Sequence, residues 1–204
     1  MPMDGASSDK MSSIAPEDRL RAQVYRLLAN FLSQPPTKSE LDTAAALKGD
    51  DSKLGRAIDM LARISAQTTT EAAREEYHDL FIGVGRGEML PYASYYLTGF
   101  LNEKPLAKLR NAMVELGIAR NPDVSEPEDH VAAISEMMAG LIEGRFGAPA
   151  SLGVQRAFFE AHLSSWAPYF YRDLEAANSS VLYAAVGAVG RNFLEIEDTA
   201  FAMA

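Results

Sequence analysis

Residues 125–143 read Ser125-Glu-Pro-Glu-Asp-His-Val-Ala-Ala-Ile-Ser-Glu-Met-Met-Ala-Gly-Leu-Ile-Glu143, an acidic turn followed by an apolar run. Ser125 and Glu128 have the spacing of a capping box, and Pro127 suits a first helical turn. The pattern therefore predicts a helix from about residue 126 to Arg145, with His130 opening its apolar stripe. The acids either complement the helix dipole or serve a binding site, and the residue types alone favour the dipole.

The rest of the chain also carries helical periodicity, and no segment alternates polar and apolar residues as a strand does. Caps at Thr37, Thr70 and Ser179-Ser180 set several of the predicted helix starts. The other predicted helices cover residues 16–32, 37–47, 54–64, 71–82, 105–116, 155–164, a segment from 166, and 179–195. The sequence therefore predicts a single all-α domain over residues 16–204, a bundle of about eight to ten helices, behind a disordered tail at residues 1–15.

Composition limits the kinds of function that the chain can have. Its 204 residues are 48% hydrophobic and 23% charged, which suits one domain with its own core. The net charge of −9 argues against nucleic acid or an anionic membrane as partner and favours a basic one. The absence of cysteine excludes disulfides, thiolate metal sites and cysteine nucleophiles. The longest apolar run, Val181 to Gly190, is too short to span a bilayer, so we expect a cytoplasmic protein with no integral membrane segment.

Two patterns invite an enzymatic interpretation and lack the residues to complete it. The loop Gly83-Val-Gly-Arg-Gly87 has glycines at GxGxG spacing after a helix, whereas a dinucleotide fingerprint needs GxGxxG after a strand. Glu75 and His78 have the Glu-x-x-His spacing of a di-iron helix, but neither His130 nor His162 has a carboxylate three residues before it. We therefore expect no catalytic residues, no cofactor and no metal. A small helical-bundle enzyme that uses a metal or a nucleotide stays open as the alternative.

Three segments taken together resemble a known family. They are Glu75-Glu-Tyr-His-Asp-Leu-Phe-Ile-Gly83 with Pro91-Tyr-Ala-Ser-Tyr-Tyr96, then Glu126-Pro-Glu-Asp-His130, then Phe158-Phe-Glu-Ala-His-Leu-Ser-Ser-Trp-Ala-Pro-Tyr-Phe170. In this order and at these separations they resemble the TorD/DmsD family of redox-enzyme maturation chaperones. The resemblance implies an all-helical, cytoplasmic, non-enzymatic protein. Such a protein binds the twin-arginine leader and the apo form of an exported molybdoenzyme catalytic subunit, and it delays export until the molybdenum cofactor is in place. It would be a monomer or a domain-swapped dimer.

The resemblance also implies a leader-binding surface. Asp129 and His130 occupy the motif that helps to form it, and Tyr92 and Tyr96 stand where relatives carry tryptophans. The matching segments contribute Leu80, Phe81 and Ser94 as further candidates. A basic pair followed by an apolar stretch calls for carboxylates at the edge of an apolar groove, and Glu126 and Glu128 supply them. If Ser125 and Glu128 cap the central helix, replacing Asp129 should leave stability unchanged. Tyr92 and Tyr96 could line either the groove or the core.

Overall fold

Ten α-helices and one π-helical turn make up the computed structural model, which describes residues 14–83 and 87–203. The helices are α1 (Pro16–Ser33), α2 (Lys38–Ala45), α3 (Lys53–Ser65), α4 (Thr70–Tyr77), α5 (Ala93–Thr98), α6 (Lys104–Glu115), α7 (Val131–Glu143), α8 (Leu152–His162), α9 (Ala167–Ala176) and α10 (Leu182–Met203). The π turn, His78–Ile82, follows α4 directly. Within the described ranges there is no strand, only one isolated bridge between Tyr92 and His130. The predicted all-α fold is confirmed.

Helix α7 is the centre of the bundle, as its apolar stripe predicts. Its buried residues are Val131, Ala132, Ile134, Ser135, Met137, Met138, Ala139, Gly140, Leu141 and Ile142. Helix α1 packs along α7, while α10 packs against both α9 and α3. The α9–α10 contact is close because Gly190 has no side chain: a Cβ there would lie 2.3 Å from Cε1 of Tyr171.

A buried charged cluster joins the first helix to the last one described. Glu197 of α10 is 1% exposed and accepts hydrogen bonds from Arg21 Nε at 2.7 Å and Arg21 Nη2 at 2.9 Å. The hydroxyl of Tyr25 donates to the same carboxylate at 2.9 Å. Because all these groups are paired, the carboxylate can be buried without the cost of an unpaired charge.

The predicted start of the central helix is wrong by five residues. Helix α7 begins at Val131, and its N-cap is His130, whose Nδ1 accepts a hydrogen bond from the Ala132 amide at 3.1 Å. Ser125 caps no helix. The Glu128 side chain, which the predicted capping box required, forms ion pairs with arginines instead. The chain turns at this point, since the His130 amide donates to the Pro127 carbonyl at 3.2 Å.

Of the other predicted helix starts, one is confirmed and one lies a residue earlier than predicted. The capping box of α2 at Thr37 and Glu40 is present as predicted. Thr69 rather than Thr70 caps α4, through a bond from the Ala72 amide at 3.1 Å.

The last helix is capped from a distance, and the predicted cap at Ser179-Ser180 is wrong. The carboxylate of Glu76 accepts the amides of Val181 at 2.7 Å, Leu182 at 3.1 Å and Tyr183 at 2.8 Å. A carboxylate at this end of a helix also complements the dipole. Helix α10 then runs to Met203, past the predicted end at residue 195.

The two segments that were predicted to be irregular are only partly described. Residues 1–13 of the predicted tail lie outside the described residues, and Ile14 is buried. Residues 84–86 of the glycine loop also lie outside them. Gly87 packs against the π turn so closely that a Cβ would lie 2.5 Å from the Phe81 carbonyl carbon, which explains a glycine there. Among the described helices, none is both long and apolar enough to cross a bilayer.

Candidate functional site

A cleft of about 670 Å³ opens along one side of α7. The C-terminal end of α1, the π turn, residues 118–128 and α7 itself form its walls. Three of these walls contribute apolar side chains: Phe81 and Ile82 from the π turn, Ile118 from the loop, and Met137 from α7. The cleft is large enough for a peptide segment, and some of the predicted site residues line it.

The two residues of the isolated bridge, Tyr92 and His130, both line this cleft. The Val131 amide donates to the Pro91 carbonyl at 2.8 Å, and the Ala93 amide donates to the Asp129 carbonyl at 2.9 Å. Between these bonds, the rings of Tyr92 and His130 meet edge to face, with centroids 5.1 Å apart. Two segments far apart in sequence are thereby held together at one point.

His130 contributes a neutral ring to the cleft. Burial lowers the pKa of His130 to about 4, with a smaller opposing effect from Glu126. Because Nδ1 accepts a bond from the Ala132 amide, the remaining proton lies on Nε2. At neutral pH, the ring therefore adds no positive charge that would repel a basic ligand.

The predicted carboxylates of the cleft differ in their availability. Glu128 pairs with Arg110 at 2.8 Å and with Arg120 at 3.2 Å. Burial alone would raise the pKa of Glu128, but the hydrogen bond from Arg110 and the charges of Arg110 and Arg120 together outweigh burial, so the pKa lies below its usual value. Glu126 is exposed and accepts a hydrogen bond from the Tyr92 hydroxyl. Glu126 has no cationic partner among the described residues, whereas the charge of Glu128 is already compensated.

Sequence reasoning missed two charged residues of the cleft. Glu136 and Arg145 both line it, both are exposed, and neither side chain has an ion-pair or hydrogen-bond partner within the described ranges. The available signal was the heptad stripe that Glu136 shares with Asp129 and Glu143. Only the middle residue of that stripe reaches the cleft, beside Ala133 and Met137 of α7, which also line it.

The nine predicted site residues are not all brought together. Those that line the cleft are Tyr92, Glu126, Glu128, His130 and Phe81. Leu80 and Ser94 are fully buried, so neither is open to a ligand. Tyr96 packs on Trp166 and Phe170, with ring centroids 5.7 and 6.0 Å away, and does not line the cleft.

Asp129, the remaining predicted residue, is 1% exposed and faces away from the cleft. Its Oδ2 accepts the Ser94 amide at 2.8 Å and so caps α5, whose own N-cap residue makes no side-chain cap. The expectation that Ser125 and Glu128 would preserve stability after loss of Asp129 is wrong in its premise, because those residues cap no helix. Asp129 has a structural role of its own.

The metal interpretation finds no support in the geometry. No group of three histidine, aspartate or glutamate side chains comes close enough to hold an ion in residues 14–83 and 87–203. His78 approaches only Asp79, at 3.5 Å, and both side chains are about half exposed or more.

Comparison with known proteins gives a consistent result. Residues 47–172 match the family described as nitrate reductase delta subunit. The protein named Chaperone protein TorD from Vibrio atlanticus is 29% identical over 198 residues, which cover 87% of this chain and 92% of the relative. The protein of the same name from Aliivibrio fischeri is 26% identical over 210 residues, covering 92% and 97% of the two chains.

One solved structure is also similar. A crystal structure described as a redox enzyme maturation protein from Archaeoglobus fulgidus superposes with a TM-score of 0.58 at 24% identity. The match covers 86% of this chain and 94% of that one. At this identity, the likeness shows a shared fold, which agrees with the all-α architecture described above.

Proposed function

We propose a chaperone function for this chain, which belongs to the nitrate reductase delta subunit family. In this proposal the protein acts in the cytoplasm, without catalysis. It binds the twin-arginine leader and the apo form of an exported molybdoenzyme subunit and delays export until the molybdenum cofactor is inserted. The relatives named TorD chaperones support this assignment, because they match nearly the whole chain.

The observation that carries the proposal is the distribution of charge in the cleft. Glu126 and Glu136 are carboxylates without cationic partners among the described residues, against one unpaired cation, Arg145, and they stand beside apolar walls. Two adjacent arginines of a leader would bring two guanidinium groups, and the apolar stretch that follows them would cover Phe81, Ile82 and Met137. Arginine and carboxylate form charge-assisted pairs that orient the bound segment.

The dimensions of the cleft support a short peptide segment as its ligand. From His130 to Arg145, the α7 region spans roughly 20 Å at about 1.5 Å per residue. An extended segment of about six residues covers that length. The cleft would therefore hold the basic pair and the first apolar residues of a leader, while the rest of the client lies outside.

The overall charge favours encounter with a basic segment. At a net charge of −9, the protein attracts a cationic leader over distances comparable to the Debye length, roughly 10 Å at 0.1 M salt. Added salt should slow association more than it speeds dissociation.

Titration with synthetic leader peptides tests this function. One peptide carries Arg-Arg before an apolar stretch, and two matched peptides carry Lys-Lys or Ala-Ala instead. We expect the order of affinity Arg-Arg, Lys-Lys, Ala-Ala, with about tenfold or more between the first and last. Equal affinity for the three peptides would overturn the proposal. So would bound metal together with turnover of a substrate by the purified protein, since these would establish the enzymatic alternative.

A further inference from the structure

One charge in the cleft does not fit a ligand that is only basic and apolar. Arg145 lines the cleft with an exposed side chain and has no ion-pair or hydrogen-bond partner among the described residues. Arg120, which also lines the cleft, is paired with Glu128 at 3.2 Å. Glu143, two residues before Arg145, is paired with Arg26 at 2.7 Å. Arg145 is therefore an unpaired cation in a cleft that also holds two unpaired carboxylates.

The backbone holds Arg145 at the end of α7. Gly144 ends the helix in the left-handed conformation, with a φ of +73°, and the Arg145 amide donates to the Gly140 carbonyl at 2.9 Å. The ring of Phe146 lies so close to Gly140 that a Cβ there would be 2.4 Å from Cε2 of the ring. Phe146 is half-buried and also lines the cleft. A cation on an anchored backbone is thus followed directly by an aromatic wall at this end of the cleft.

The free charges of the cleft are ordered along α7. Glu136 and Arg145 are nine positions apart in the sequence, which is roughly 13 Å at about 1.5 Å per residue. An extended peptide covers that length with about four residues. Glu126 lies before the start of α7, and burial together with the charge of Glu126 raises the pKa of Tyr77 to about 12. Tyr77 packs on Phe81 of the π turn, with ring centroids 4.9 Å apart. Arg145 and the apolar wall of the π turn therefore lie towards opposite ends of the cleft.

A bound segment changes the surroundings of Arg145. A peptide that covers the guanidinium removes water from it, and a desolvated charge without a partner is unfavourable. A carboxylate on the peptide offsets this cost, because guanidinium and carboxylate form a charge-assisted, bidentate pair. In a leader, the residues that follow the basic pair are apolar and cannot supply a carboxylate. An acidic partner of Arg145 must therefore precede the basic pair.

We propose that Arg145 binds the carboxylate of one aspartate or glutamate that precedes the basic pair of the leader by about four residues. The first arginine of the pair then meets Glu136, and the second arginine and the first apolar residues continue towards His130 and the π turn. This inference rests on the proposed function and adds a preference among leaders, since those with an acid at this distance bind more tightly. It also fixes the direction in which the leader lies in the cleft.

A series of leader peptides tests this subsite on the full chain. The parent peptide carries asparagine at each position before Arg-Arg, and an apolar stretch after it. In the other peptides a single aspartate replaces one asparagine, from the second to the sixth position before the pair. We expect aspartate near the fourth position to increase affinity about threefold over the parent, as for a partly exposed ion pair. Equal affinity for all the peptides, or a gain that does not depend on the position of the aspartate, would overturn the proposal.

Three variants assign the preference to one side chain. Arg145→Gln should abolish the preference for aspartate, and its affinity for the parent peptide should be no weaker than that of the unchanged protein. Arg145→Glu should reverse the preference, so that lysine at the same peptide position binds more tightly than aspartate. Arg63→Gln is the matched control, because Arg63 is also an exposed arginine at the C-terminal end of a helix, α3, and does not line the cleft. The preference should persist in this control.

The outcomes separate this subsite from the leader function itself. NMR of the Arg145 Nε–H group should show a larger shift with the preferred aspartate peptide than with the parent. An unchanged preference in Arg145→Gln, with lower stability, would mean that Arg145 only complements the dipole of α7. If Arg-Arg binds better than Ala-Ala while the position of aspartate has no effect, the subsite alone is contradicted. Equal binding of the Arg-Arg and Ala-Ala peptides would overturn the leader function and the subsite with it.

Discussion

Asp129 and His130 are adjacent in sequence but face different spaces, His130 towards the large cleft and Asp129 towards a separate, smaller pocket between α5, α6 and α8. The antiparallel bridge to Tyr92 separates them. Their side chains therefore do not act as one acid–base pair. Loss of either should have its own signature in stability and in binding.

Replacing Asp129 tests its role as the cap of α5. Asp129→Ala removes the acceptor of the Ser94 amide and should lower the free energy of unfolding by about 1–2 kcal/mol, the usual cost of a lost N-cap. Asp129→Asn keeps an oxygen at the same place and should lose less. Urea denaturation of the three proteins measures both values. An unchanged midpoint in Asp129→Ala would mean that Asp129 has no capping role.

The two tyrosines of the Tyr92–Tyr96 segment should respond differently to truncation. Tyr96→Ala removes ring contacts with Trp166 and Phe170 and should cost about 2 kcal/mol of stability, because the ring is only partly buried, with little effect on leader affinity. Tyr92→Ala removes a cleft wall and should weaken leader binding about tenfold with a smaller loss of stability. Denaturant unfolding measures the stability of the two variants, and leader-peptide titration measures their affinity. The reverse pattern would move Tyr96 into the binding surface and Tyr92 into the core.

Glu136 should contribute to recognition of the basic pair. Glu136→Gln removes an exposed carboxylate from the cleft and should reduce affinity for the Arg-Arg peptide about fivefold, because one charge-assisted bond is lost. The Ala-Ala peptide should bind both proteins equally. Asp198→Asn, at an exposed position on α10 outside the cleft, controls for net charge. A similar loss in the control would attribute the effect to long-range attraction alone.

His130 should make stability depend on pH in a defined window. Its folded pKa of about 4 lies below the usual value of 6.5, so between these values the unfolded chain takes up a proton that the folded protein excludes. Stability is unaffected above pH 6.5 and falls as pH drops towards 4, by up to about 3 kcal/mol. His130→Asn retains an acceptor for the Ala132 amide and should lose this part of the slope. Parallel pH profiles for both proteins would contradict the assignment.

The parts of the fold that the sequence predicts are those with local causes. The apolar stripe of α7 and the capping box at Thr37 and Glu40 depend on residues within one or two turns. The start of α7 was misplaced because Glu128 is also attracted to Arg110 and Arg120, which lie on the preceding helix and loop. A cap such as Glu76, about 105 residues from the amides that it accepts, has no local signal at all.

In the candidate site, too, the features with local causes could be predicted and those set by distant residues could not. The family motifs identified Tyr92 and His130, the charge argument added Glu126, and the structure brings these three residues to one cleft. The orientation of Asp129 depends on a bridge between residues that lie 38 positions apart in the sequence. The prediction of a helix over residues 126–130 therefore placed Asp129 beside His130, on the side of the cleft. The position of Tyr96 also depends on distant residues. Its ring packs on Trp166, just before α9, and on Phe170 within α9, and no local pattern predicts these contacts.

The bond between Arg21 and Glu197 joins positions 176 residues apart, and this separation affects how the protein forms during synthesis. A growing chain that has left the ribosome only as far as α9 still lacks the helix against which α3 and α9 pack. Its apolar faces stay open until α10 emerges, which exposes the unfinished chain to aggregation. A protein proposed to shield an immature enzyme would thus pass through a vulnerable stage of its own.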